Sequence, residues 1–217
     1  MEHDSKNFKD TLTSLYGKNS EKLDRDFNYL WDAFQHTEEL WWENIREIGQ
    51  VKYILIAEAP LYGEKRSYIY NPDFGRTPFL EFTHINFLSQ KLGLKGIVSN
   101  KKDMLQNMRE MGLVVLDLFP FAFNNDTTYQ FGRLSEKLRT SLAHSCSSWF
   151  LQPKLREILN NCKEAPTFGV RYKRLFSFAN DLITSSVPSG VSPSVVLACK
   201  RVANAPLDLD ELYKNLR

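Results

Sequence analysis

Val51-Lys52-Tyr53-Ile54-Leu55-Ile56-Ala57-Glu58-Ala59-Pro60 is the stretch that decides the fold. From Val51 to Ala57 it is a largely apolar, β-branched run, and Pro60 closes it. Such a run predicts a strand buried on both faces, which is the environment of a parallel sheet. It also delivers a carboxylate, Glu58, directly beyond the strand's carboxyl end.

Working outward, Leu113 to Leu118 (LVVLDL) predicts a second strand, closed by Phe119-Pro120. Pro166 to Val170 predicts a third and Ser194 to Cys199 a fourth. Between them the apolar period changes. Ser20 to Ile48 lacks Pro and Gly and repeats Leu23, Phe27, Leu30, Trp31 and Phe34 at helical spacing, with Ser20 as N-cap. Helices are also predicted from Phe79 to Leu92, from the Asn100 cap to Gly112, and from Leu134 to Asn161 with an interruption at Pro153. Two more are predicted from Tyr172 to Ile183 and from the Asp208 cap to Leu216. Alternating strands and helices imply βαβ units. The expectation is an α/β chain: a three-layer α/β/α sandwich with a central, mostly parallel sheet of about four strands. It forms a single domain over 1–217 with an N-terminal helical extension over 1–50.

Composition narrows the function classes. The 217 residues are 42% hydrophobic and 13% aromatic, which fits a packed core. No apolar run approaches the roughly 20 residues of a membrane span, and the polar start from Met1 to Lys9 is not a secretory signal. Cys146, Cys162 and Cys199 form no CxxC pair, so no metal, cluster or other cofactor is expected, and a reducing, cytoplasmic setting is. Cys146 and Cys162 read as small core residues on helices. His3, His36, His84 and His144 are dispersed, and His84 reads as a packing histidine in a helix. Lys101-Lys102 reads as a solvated helix start. The formal charge of +2 permits a polyanionic partner without requiring one.

Ligands of open parallel sheets bind beyond the carboxyl ends of the strands. That rule selects Glu58, Ala59, Pro60 and Tyr62 after the first strand, and Asp117, Phe119 and Pro120 at the second. It selects Arg171, Lys173 and Arg174 after the third. Around the fourth it selects Ser192, Ser194, Lys200 and Arg201. Asp117 either caps a turn or works in a site; Glu58 either pairs with an arginine or does chemistry. Phe79, after Gly75-Arg76-Thr77-Pro78, either stacks on a flat ligand or packs on the sheet. The Gly-x-Ser-x-Gly elbow, the Walker phosphate loop and the dinucleotide Gly-x-Gly-x-x-Gly are all absent.

Between Val51 and Arg201, the order of these features resembles the uracil-DNA glycosylase superfamily. Ala57-Glu58-Ala59-Pro60-Leu61 is similar to that family's Gly-Glu-x-Pro-Gly motif. The segment from Gly75 to Phe79 resembles its Gly-x-Pro-Phe loop, and Asp117 stands where the family has a base-reading Asn. Val191-Ser192-Pro193-Ser194 is similar to its His-Pro-Ser loop, with no histidine present. The resemblance implies a base flipped into a pocket, stacked by Phe79 and read by Asp117. Glu58 would orient water or stabilise the positive charge developing on the sugar. Arg171 or a backbone amide would stabilise the departing base, and Ser192, Ser194, Lys200 and Arg201 would grip DNA phosphates.

Three functions therefore stand open. The first is a DNA glycosylase excising a damaged or deaminated base. The second is a non-catalytic nucleic-acid or nucleotide-binding protein on the same fold. The third is a small-molecule hydrolase or an interaction scaffold. The chain is expected to be a monomer or a weak homodimer, the latter joined through Trp31, Trp41 and Trp42.

Overall fold

A computed structural model describes residues 2–75, 79–94, 96–124, 127–129, 134–200 and 206–217. Its centre is one sheet of four strands: β1 (Tyr53–Ala57), β2 (Leu113–Asp117), β3 (Thr167–Val170) and β4 (Ser194–Leu197). The spatial order is β2-β1-β3-β4 and every pairing is parallel. Every residue of β1 and β2 is buried, which is why their sequences do not alternate.

Helices cover both faces. α1 (Glu2–Tyr16), α2 (Ser20–Arg46), α5 (Glu136–Cys146), α6 (Gln152–Asn160) and α7 (Phe176–Ser186) form one packed layer, joined partly through a π-helical turn at Ser147–Leu151. α3 (Phe82–Leu92), α4 (Lys101–Met111) and α8 (Leu209–Leu216) form the other. The result is the three-layer α/β/α sandwich expected. The β1-to-β2 crossover runs one way along the sheet, and those to β3 and β4 run the other way on the opposite face. Reversing direction and face together keeps a single crossover hand. It also creates a switch point between β1 and β3, where neighbouring connections diverge and leave a crevice.

The helix ends follow their sequence signals. Asn100 Oδ1 accepts from the Asp103 amide (3.0 Å) and Asp208 Oδ1 from the Glu211 amide (3.2 Å). Gly112 closes α4 at φ 76°, and a Cβ there would lie 2.6 Å from the Gln50 carbonyl, so both conformation and space call for glycine. Gly169 in β3 answers a different need: a Cβ would lie 1.8 Å from Tyr53 Oη. The strand is bare there so that the tyrosine ring can lie across it.

Several expectations are corrected. α3 starts at Phe82, not Phe79; Glu81 caps it, and its amide donates to His84 Nδ1 (3.1 Å). His84 is thus a capping histidine, and burial lowers its pKa. The stretch from Leu134 to Asn161 is broken by the π-helical turn, while Pro153 lies in the first turn of α6, where its missing N–H costs nothing. Asn19, not Ser20, precedes α2 as N-cap. The segment after Tyr172 begins with a 3-10 turn, Lys173–Leu175, before α7. Lys101 is not solvated: it is 2% exposed, and burial pulls its ammonium pKa down to about 8. Trp41 is 1% exposed and its Nε1 donates to the Val115 carbonyl (3.1 Å). It is core, with Trp31 and Trp42 half-buried against it, so the three tryptophans do not form an exposed face.

One hydrophobic cluster runs from Phe8 in α1 to Leu216 in α8. The N-terminal helices are therefore part of the core: Phe8 meets Phe121 at a ring distance of 4.9 Å. Cys146 is buried and Cys162 half-buried, and burial raises both thiol pKa values, that of Cys162 to about 11. No helix among the described residues is long and apolar enough to cross a membrane.

Candidate functional site

The crevice at the carboxyl edge of β1, β2 and β3 opens into a cavity of about 380 Å³. β1 ends at Ala57, and Glu58 follows it into the cavity wall. The chain is fixed there by its backbone. The Glu58 carbonyl accepts from the amides of Leu118 and Phe119 (3.2 and 3.3 Å), so the ends of β1 and β2 are stitched together. Asp117, level with Ala57 in the register, is the last residue of β2 and also lines the cavity.

The walls are mainly aromatic. Phe79 and Tyr172 form one side, with ring centroids 6.3 Å apart. Phe119, Phe121 and Phe123 line the cavity from the segment after β2, and Ala59, Pro60 and Leu61 from the segment after β1. Leu61 is 48% exposed at the rim. The polar side chains are few: Glu58, Tyr68, Asp117, Arg139, Tyr172 and Arg174. An apolar enclosure with a few convergent polar groups is the usual form of a small-ligand site.

The two carboxylates sit in opposite environments. Asp117 is 4% exposed and accepts one hydrogen bond, from Tyr68 Oη (3.3 Å), among the described residues. Burial raises its pKa to about 7, against the pull of Lys154 and the Tyr68 bond. The raised pKa lets this carboxyl keep its proton at pH values where an ordinary aspartate is ionised, and when protonated it offers both a donor and an acceptor. Tyr68 itself is wholly buried and its phenol is pushed well above the ordinary range by burial. Glu58, by contrast, is gripped by cations. Arg174 Nη2 donates to Oε2 (2.8 Å), and Arg139 Nε stands 3.1 Å from Oε1.

Beneath Asp117 lies a buried cation. Lys154 Nζ donates to Glu38 Oε1 (2.5 Å) and lies over the Trp41 and Phe150 rings. Lys154 is 2% exposed.

The structure brings together Glu58, Ala59, Pro60, Phe79, Asp117 and Phe119, and leaves other candidates outside. Tyr62 is buried but turns to α2, donating to Asp32 Oδ2 (3.3 Å) and meeting His36 Nδ1 (3.0 Å). Its phenol is raised to about 12, by burial and then by Asp32. Arg171 lies with its guanidinium 5.0 Å from the Tyr172 ring and does not line the cavity. Ser192 and Ser194 are exposed at the other edge of the sheet. Ser194 pairs with Thr167 at the amino ends of the strands, because a turn that precedes a parallel strand lies opposite one that follows it. Lys200 is exposed beyond β4; Arg201, and the Arg76-Thr77-Pro78 approach to Phe79, lie outside the described residues.

Sequence reading had no signal for Tyr68, Phe121, Phe123, Leu134 or Arg139. These arrive from loops and from α5, distant in the chain. Tyr172 and Arg174 carried the weak signal of following a strand. Among the described residues no group of His, Cys, Asp and Glu could hold a metal ion. No known family profile, curated protein or solved structure matches the chain.

Proposed function

We propose that the cavity receives a nucleobase carried on a nucleic-acid strand and that the protein is a base-excising N-glycosylase. The observation that carries this is the pairing of the Phe79–Tyr172 aromatic wall with a buried carboxyl, Asp117, at the floor of one cavity. A base needs two faces of apolar contact and a hydrogen-bonding edge; base–aromatic stacking contributes about 1–3 kcal/mol. Glu58 lines the same cavity just beyond β1, and in this reading it faces the sugar of the inserted nucleotide.

In this reading the C1′–N bond breaks and its electron pair leaves with the base. The oxygen of a water adds to C1′; one water proton stays on the new hydroxyl and the other ends on the released base. Glu58 orients that water and offsets positive charge developing on the sugar. Asp117, with Tyr68 behind it, reads the base edge.

The test is base release from single-stranded and paired oligonucleotides carrying uracil, hypoxanthine, xanthine or hydroxymethyluracil, with alkali revealing abasic sites. Release abolished by Glu58→Gln is expected. Release that survives this change removes Glu58 from the chemistry, and no release from any substrate removes the excision reading. The competing reading is a nucleobase-binding protein that does not cleave. It draws on the ion pairs that occupy both Glu58 oxygens. Strand binding without release would favour it.

A further inference from the structure

We propose that Arg174 is a phosphate-receiving arm: it holds Glu58 in the free protein and lets it go when a phosphate-bearing strand docks. The site then answers to nucleotides within a strand and not to free nucleosides. This inference rests on the nucleobase reading of the cavity.

The two arginines on Glu58 are not alike. Arg139 is built into α5, with its side chain 23% exposed. Arg174 belongs to the short 3-10 turn after β3, and its side chain is 61% exposed. Its guanidinium also lies 5.4 Å from the centroid of the Tyr172 ring. One exposed arm therefore covers both groups that an inserted nucleotide would use, the Glu58 carboxylate and a Tyr172 ring.

The arginine end of this pair is exposed while the Glu58 side chain is only 16% exposed, so water competes for the guanidinium and weakens its hold on the carboxylate. A phosphodiester offers the same guanidinium two oxygens in a matching fork, where Arg binds most firmly. Lys173, exposed in the same turn, adds charge that steers a strand to this side of the mouth. When Arg174 turns to phosphate, Glu58 keeps only Arg139. One carboxylate oxygen is then open toward the cavity, and of the two guanidiniums near the Tyr172 ring only that of Arg171 remains. A neutral nucleoside brings no anion to draw the arm away.

The experiment measures binding of a short fluorescein-labelled single-stranded deoxyoligonucleotide with one central uracil, across a salt titration. Wild type, Glu58→Gln and Arg174→Met are compared, and base release is read in the same samples. Glu58→Gln frees the arm, and roughly threefold or tighter binding is expected from the lost competition. Arg174→Met is expected to weaken binding and to reduce the slope of log affinity against log salt by about one. It is expected to leave binding of free deoxyuridine unchanged or tighter. If Glu58→Gln binds no tighter, or Arg174→Met keeps the full salt slope, the arm is overturned. Arg174 is exposed enough that its variant folds, so it decides the matter should Glu58→Gln fail to fold. Predicted binding shifts without base release would overturn excision and keep the arm. Base release with the wild-type slope in Arg174→Met would overturn the arm alone.

Discussion

Tyr70 Oη accepts from the Val115 amide over 2.6 Å and donates to the Val115 carbonyl over 3.1 Å. β2 is an edge strand, so this tyrosine from the β1–α3 connection stands in for a missing neighbour. Trp41 Nε1 adds a second donor to the same carbonyl. Tyr53 Oη presents the opposite case: it is buried with no hydrogen-bond partner among the described residues. Tyr70→Phe leaves a buried amide unpaired and is expected to cost about 1–3 kcal/mol. Tyr53→Phe removes an unsatisfied hydroxyl and is expected to be neutral or to stabilise by up to about 1 kcal/mol. Urea unfolding of the two variants checks this, and effects of equal sign and size would refute the contrast.

Asp117 makes stability depend on pH. Its folded pKa, about 7, stands above the ordinary 3.8 because burial penalises the charged form. A raised acid pKa means the folded state holds the proton longer than the unfolded one. The stabilisation is complete below about 4 and is lost as pH rises through about 7. Asp117→Asn cannot ionise, so it is expected to gain in melting temperature relative to wild type between pH 5 and pH 8. Parallel melting curves for the two proteins across that range would mean that Asp117 does not ionise late. Base release should follow the same carboxyl, with a change near pH 7 that the Asn variant lacks.

The strands were legible because burial on two faces writes an unbroken apolar run, as at VKYILIA and LVVLDL. Asn100 and Asp208 were legible because capping is local chemistry. Glu58 and Asp117 were found by position relative to strands and Phe79 by the Gly75-Arg76-Thr77-Pro78 sequence that precedes it, and the cavity gathers all three. Ser192 and Ser194 were misjudged because proximity in sequence to β4 does not say which end of it a turn occupies. Lys101 and Lys154 were missed for a deeper reason. Nothing local to a lysine reveals that distant helices will close over it. The same holds for Arg139, whose pairing with Glu58 joins α5 to the end of β1.

Phe79 supplies a ring face, and this can be separated from its bulk. It is 6% exposed and lies beside Tyr172. Phe79→Leu keeps most of the apolar volume and is expected to cost about 1–2 kcal/mol of stability. Loss of stacking is expected to weaken oligonucleotide binding about fivefold or more, while Phe79→Trp retains it. Binding measured by fluorescence anisotropy on folded protein decides the point. Leucine and phenylalanine binding equally well would leave Phe79 as a packing residue only.

Lys154 and Glu38 form the ion pair beneath the cavity floor, and their burial sets the last prediction. Lys154 is nearly inaccessible, whereas the Glu38 side chain is 21% exposed and also accepts from Trp42 Nε1 (3.2 Å). A buried pair roughly balances its own desolvation, but half of one does not. Glu38→Gln strands the ammonium in an apolar setting and is expected to destabilise by about 3 kcal/mol or more. Lys154→Met removes the cation that restrains Asp117, so the pH at which Asp117 ionises should move further up. Glu38 keeps access to water in that variant, so the stability cost should be smaller than for Glu38→Gln. The double variant, Lys154→Met with Glu38→Gln, should recover much of the loss, since no unpaired charge remains. Chemical denaturation of the three variants gives the coupling, and the pH dependence of Lys154→Met gives the link to the site. Additive losses with an unmoved pH profile would mean that the pair neither stabilises its members nor tunes the carboxyl above it.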